Sequence, residues 1–166
     1  MRNLGLIKVL ASKHLIKAIG ECGVDKVTSN VDFDLQLKIF KEHLEIAKVF
    51  SLPIVVHNVN GTNEIIKLAK EYKTLKFMIH GFNNRLNLLT TFVKQDFYIS
   101  IGKINNRNLL EQIVKNIPID KILVETDNLD IDLRFLYKQI ADILNIDIEL
   151  FVKIVNKNFF DFYNIF

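Results

Sequence analysis

KAIGECGVDK, Lys17 to Lys26, is the stretch from which the rest of the chain is read. A short apolar run delivers an acidic residue, Glu21, between Gly20 and Gly23. Glycine accepts backbone angles closed to other residues, so the stretch predicts a strand over Leu15 to Glu21 that ends in a glycine-bracketed turn with the carboxylate at its tip. This is how an α/β protein presents an acid at the mouth of a sheet. Taken alone, a Gly-Glu pair in a turn is ordinary, and a solvated acid at a strand end is its plain reading.

Outward from this stretch, short apolar runs alternate with longer amphipathic ones. Further strands are predicted at Pro53 to His57, Lys76 to His80, Phe97 to Ile101 and Lys121 to Thr126, each short and mostly apolar as strands buried on both faces are. Helical spacing marks Met1 to Leu15, then Leu35, Ile39, Ile46 and Phe50 with Asp34 as N-cap, then Ile65, Ile66, Ala69 and Tyr72 after Thr62. Leu86, Leu89 and Val93 mark a further helix, and Leu109, Leu110, Ile113 and Ile117 another. Ile131 to Leu144 and Ile148 to about Phe162 close the chain, the latter capped by Asp147.

Repeated βα units force parallel strands joined by right-handed crossovers, which leaves an open doubly wound sheet or part of a (β/α) barrel. Both place chemistry at the carboxyl ends of the strands. No glycine-rich phosphate fingerprint follows the first strand, which counts against a dinucleotide-binding fold.

A chain of 166 residues, 49% hydrophobic and 25% charged, suffices for one domain with one core, so a single domain over 1–166 is expected. A formal charge of +3 neither selects nor repels a polyanion. Cys22 is the single cysteine, which excludes an internal disulfide, fits a small buried apolar role and is compatible with a reducing, cytoplasmic setting. No apolar run approaches the ~20 residues of a membrane span, and Lys8 and Lys13 interrupt the N-terminal aliphatics where a signal peptide would be continuous. No membrane partner is expected.

The predicted strand ends carry Glu21, His57, His80 and, after Glu125, Thr126-Asp127. In a parallel sheet these residues fall on one rim, and histidine with carboxylate is a ligand set suited to Zn, Mn or Mg. Each has a bland counterpart: a lone strand-end histidine is usually a hydrogen-bonded structural residue, and an Asp after a strand commonly caps the next helix. His14, ahead of the first strand, and His43, inside a helix among Lys41, Glu42 and Glu45, are assigned to that structural role.

These residues carry a family resemblance. IGECGVDK, LPIVVHN, MIHGF and ILVETD resemble, in order, four motifs of the TatD-like metal-dependent hydrolases, and Gln36, Phe40, Leu44 and Ala47 resemble the helix between the first two. YISIG at 98–102 and the closing Asn158-Phe159 also fit, so the resemblance spans essentially the whole chain. It implies a TIM-barrel hydrolase using one or two divalent ions, Mg first with Zn or Mn as alternatives, that acts as a deoxyribonuclease on single-stranded DNA ends. It further implies Glu21, His57, His80 and Asp127 as metal ligands, with Asp127 and Glu21 catalytic and Asp127 placed to handle the attacking water.

The departures are as informative. The His-x-His strand that opens the family pattern and the G-x-H-P-like strand after it have no counterpart here, so the chain resembles an N-terminally shortened member, a partial barrel lacking its first strands. Val59 stands where an Arg often follows the strand-two histidine, and Asn128-Leu129 replaces Ala-Pro. Asn-Asn-Arg occurs twice, at Asn83 to Arg85 and Asn105 to Arg107, each after a predicted strand. Arg85, Arg107, Asn83 and Asn105 are therefore substrate-binding candidates for phosphate, although Asn caps helices and Arg solubilises them just as readily.

Three functions follow: a TatD-like nuclease or phosphoesterase, a non-catalytic remnant of that fold, and a metal-dependent hydrolase of a small ester or amide. With the His-x-His seat missing, this chain alone is expected to hold one ion weakly and to degrade DNA poorly. Five strands cannot close an eight-stranded barrel, so an open sheet edge and self-association are expected too.

Overall fold

The computed structural model describes residues 2–127 and 129–165, so the expectations that fall on Met1 and Asn128 lie outside the described residues. The chain divides into two compact units, Met1–His80 with Tyr163–Phe166, and Gly81–Phe162.

In the first unit, α1 (Arg2–Ser12) leads to β1 (Ile19–Asp25), α2 (Phe33–Phe50), β2 (Ile54–Val59), α3 (Thr62–Glu71) and β3 (Phe77–Ile79). β1 pairs parallel with β2, and β2 parallel with β3. The N-cap of α2 is Asp32, whose carboxylate accepts from the backbone N–H of Asp34 and Leu35, rather than Asp34 itself, because only Asp32 stands outside the helix with extended backbone. α2 ends on Ser51 in the left-handed conformation, φ 53°. Phe40, Leu44, Ile46 and Ala47 of α2 and Ile65, Ile66, Leu68 and Ala69 of α3 are buried, as are Ile19, Val24, Ile54 and Val56 of the strands. Each such side chain contributes roughly 1.5–3 kcal/mol on leaving water, alanine less.

Two strands of this unit run beyond their expected ends, while β3 stops at Ile79, one residue short of the expected His80. β1 does not stop at Glu21: it starts at Ile19 and runs on to Asp25, with Leu15 exposed ahead of it. Its register against β2 shifts between Ile19 and Cys22. The glycines serve close approach rather than a turn. A Cβ on Gly20 would stand 2.6 Å from the Val55 Cβ, and one on Gly23 would overlap the His57 carbonyl oxygen. β2 likewise runs past His57 to Val59.

In the second unit, α4 (Leu86–Val93), β4 (Tyr98–Ile101), α5 (Arg107–Lys115), β5 (Ile122–Val124), α6 (Leu133–Leu144) and α7 (Ile148–Tyr163, through Phe162 in this unit) follow one another, with β4 parallel to β5. α5 stops at Lys115, short of the expected Ile117, with Asn116 as its C-cap. Asp147 caps α7 as expected, accepting from Glu149 and Leu150. Phe92, Phe97, Ile99, Ile101, Ile113, Ile122, Phe151 and Phe162 are buried. Beneath β5 lies one buried polar side chain, Asn158, which donates to the carbonyls of Ile119 and Ile122 at 2.8 and 2.9 Å.

Candidate metal centre

Parallel register sets the level of each candidate ligand. Cys22 is level with Val56 and Val56 with Ile79, so Glu21, His57 and His80 leave their strands within one step of the same height. Glu21 and His80 then meet although β2 lies between their strands, with Glu21 Oε1 3.5 Å from His80 Nε2. That spacing is long for a hydrogen bond. It suits two atoms sharing one ion: ligands each ~2.0–2.2 Å from a metal stand about 2.8–3.1 Å apart in octahedral and about 3.3–3.6 Å apart in tetrahedral geometry. The Glu21 side chain is 47% exposed and that of His80 15%. A carboxylate oxygen and an imidazole nitrogen at this distance, one open to solvent and one largely shielded, fit a divalent cation.

His57 is held elsewhere on this rim. Its Nε2 lies 3.7 Å from Asp25 Oδ2, with the ring 44% exposed and the carboxylate side chain 13%. Asp25 is fixed from all other sides. Its Oδ1 accepts from the backbone N–H of Val27 and Thr28, at 2.7 and 2.8 Å, and its Oδ2 accepts from the Thr28 hydroxyl. The Thr28 hydroxyl first, then the two backbone N–H groups, hold its carboxyl well below the usual carboxylate range. Its own backbone is gripped by Gln36, whose Oε1 accepts from Asp25 N–H at 2.7 Å while its Nε2 donates to Asp25 O at 3.0 Å.

A cleft of about 390 Å³ opens between β1 and α2, lined among others by Glu21, Asp25, Gln36, His43 and His57. His43, read from sequence as a plain helix residue, thus borders the cleft, its Nδ1 2.8 Å from the Ile39 carbonyl one turn back. His14 keeps its structural reading, with left-handed backbone at φ 55° and its N–H bonded to Ala11 O just beyond α1. Cys22 is buried, and burial pushes its thiol up to about 12, so it is no nucleophile. Lys26 is engaged on Glu64 at 2.8 Å and over the Phe33 ring at 4.1 Å.

Asp127 belongs to the second unit, beyond β5, with left-handed backbone at φ 50°. Ahead of it Glu125 packs beside Gly81 and Gly102, its Oε1 3.4 Å from where a Cβ on Gly81 would sit. Both Asn-Asn-Arg triplets open helices of this unit. Asn84 accepts from the Arg85 N–H, and Asn106 caps α5 by accepting from Leu109 at 3.1 Å. Asn83, Arg85, Asn105 and Arg107 are exposed.

Asp25, Thr28 and His43 are what sequence reasoning passed over. For Asp25 a signal was present: an Asp followed three residues later by Thr is a local turn that fixes its own carboxylate.

Comparison with known proteins shows the family. The family described as TatD related DNase matches residues 2–164. The chain is 31% identical over 130 residues to YabD of Bacillus subtilis, described as an uncharacterized metal-dependent hydrolase, covering 75% of this chain and 51% of that protein. A second uncharacterized metal-dependent hydrolase, from Buchnera aphidicola, is 27% identical over 177 residues, covering 96% of this chain and 67% of it. The crystal structure of YjjV, a TatD homologue from Escherichia coli, superposes with a TM-score of 0.85 at 18% identity, covering 98% of this chain and 70% of that one. A TatD family hydrolase from Entamoeba histolytica gives 0.82 at 18% identity, over 96% and 68%. The fold is the α/β, parallel-stranded TIM-barrel type that these structures share, here with five strands among the described residues. The chain belongs to the TatD related DNase family. It spans about half the length of YabD.

Proposed function

We propose that the chain is a metal-dependent phosphodiesterase of the TatD type acting on single-stranded DNA ends, built as one domain over 1–166, with Glu21, His57, His80 and Asp127 as metal ligands. The single observation that carries the reading is the 3.5 Å approach of Glu21 Oε1 to His80 Nε2, in a chain whose family is that of a DNase. When bound, the ion, Mg first with Zn or Mn as alternatives, supplies Lewis-acid charge that acidifies a water and offsets charge building on the phosphodiester. His57 and His80 would hold the ion through ring nitrogens, and Glu21 would neutralise part of its charge. Asp127 takes the proton of the attacking water at its carboxylate. Asn83, Arg85, Asn105 and Arg107 orient the phosphate from their exposed loops.

The 166-residue chain assayed alone binds one ion weakly and degrades DNA slowly. It self-associates through the edge of β1, which has β2 as its strand neighbour in the first unit. The deciding experiment compares hydrolysis of single-stranded DNA with that of small esters and amides, with and without EDTA. Slow, EDTA-sensitive loss of DNA ends supports the proposal, and cleavage of only the small substrates moves the protein to the ester or amide class. A melting temperature unmoved by millimolar Mg, Mn or Zn would favour a non-catalytic remnant.

A further inference from the structure

Asp25 is held more firmly than a surface carboxylate needs to be. Four hydrogen bonds fix its two carboxylate oxygens and its backbone N–H, a fifth takes its carbonyl, and what this leaves is an Oδ2 turned toward His57 Nε2. The two partners are unequal. The carboxylate is anchored by its own turn and by Gln36, whereas the His57 ring is nearly half exposed. At 3.7 Å the gap exceeds a formed N–H···O bond by roughly 0.7 Å, a distance that rotation of the ring alone closes.

We propose that Asp25 is the positioning residue of His57: its Oδ2 takes a hydrogen bond from Nε2–H and so leaves Nδ1, with its lone pair, as the nitrogen offered to a ligand. A neutral imidazole carries one proton, and the nitrogen facing a carboxylate keeps it. Asp25 thereby fixes the tautomer and the angle of the ring before anything binds. The ligand in question is the divalent ion of the proposed function, so the affinity part of this inference rests on that reading, whereas the tautomer part does not.

The test uses the full chain labelled with 15N and free of metal, at about pH 8, where an ordinary imidazole is neutral. Long-range 1H–15N spectra report which ring nitrogen is protonated, and the His57 signals are those lost in His57→Ala. The wild-type ring is expected as the Nε2–H tautomer. In Asp25→Ala it becomes a mixture of both, and in Asp25→Asn it shifts toward Nδ1–H, since the amide nitrogen now faces Nε2 as a donor while the amide oxygen still serves the Val27 and Thr28 N–H groups should the Ala variant not fold. Titration with Mn or Zn is expected to show affinity falling about 10–100-fold in both variants. A wild-type ring protonated on Nδ1, or a tautomer unchanged in a folded Asp25→Asn chain, overturns the proposal. A wild-type chain that binds no ion overturns the metal reading alone, and the tautomer still decides the role of Asp25.

Discussion

Asn158 under β5 and His57 on β2 are both polar side chains set among apolar strands, and the protein treats them in opposite ways. Asn158 is 1% exposed and spends both amide hydrogens on carbonyls at 2.8 and 2.9 Å. His57 stands at 3.7 Å from its one carboxylate neighbour with its ring open to the cleft. Among the described residues no buried side-chain polar atom lacks a partner, so the protein saturates what it hides. Asn158, which completes the fold, is closed off, whereas His57 keeps its ring exposed.

The largest effect expected is on the closed side. Asn158→Ala removes two hydrogen bonds, strands one buried and one part-buried carbonyl and leaves a small void, a loss of about 3 kcal/mol in urea unfolding with metal affinity unchanged. Gly23→Ala comes next, at about 2 kcal/mol, since the new Cβ must push the His57 carbonyl away from a backbone at φ 149°. Because that carbonyl belongs to His57 itself, this variant should also weaken metal binding in a calorimetric titration, which Asn158→Ala should not.

Tyr72 sits between the extremes. Its hydroxyl donates to Glu45 Oε1 at 2.6 Å on a half-buried surface, and burial first, then the Glu45 carboxylate, pushes its phenol up to about 12. A raised phenol favours the fold while it stays protonated. That stability is whole below about pH 10 and drains away as pH climbs toward 12. Urea midpoints measured at about pH 9 and about pH 11 should therefore drop more for the wild type than for Tyr72→Phe. The smallest effect is that of His57→Ala, within about 0.5 kcal/mol of wild-type stability, as for a surface change. If it costs as much as Asn158→Ala, the contrast between the two residues fails and His57 is a structural histidine after all.

The apolar cores of the strands were legible in sequence because continuous runs such as Ile54 to Val56 and Ile122 to Val124 admit few other placements. The ends were less so. Gly20 and Gly23 license a turn and a close strand approach equally, and only the presence of Val55 and the His57 carbonyl beside them decides for the approach. Among the site residues, Glu21 and His80 were visible as ligand types near strand ends, and they meet. Asp25 was not singled out, because its value comes from a partner 32 positions on that faces it only through the β1–β2 register. His43 carried no signal: helix periodicity places it on α2, and only the cleft shows which side of α2 matters.

Gln36 leaves one more mark on the molecule. A primary amide offers a donor and an acceptor spaced much as a peptide group does, so when it bonds both backbone groups of Asp25 it acts as a strand one residue long. Any extended segment laid along the outer side of β1 would find its last rung already taken. Strand addition is thus capped at the Asp25 end, beside His57, and the rim that carries the chemistry is spared from being overgrown by the very edge that invites association.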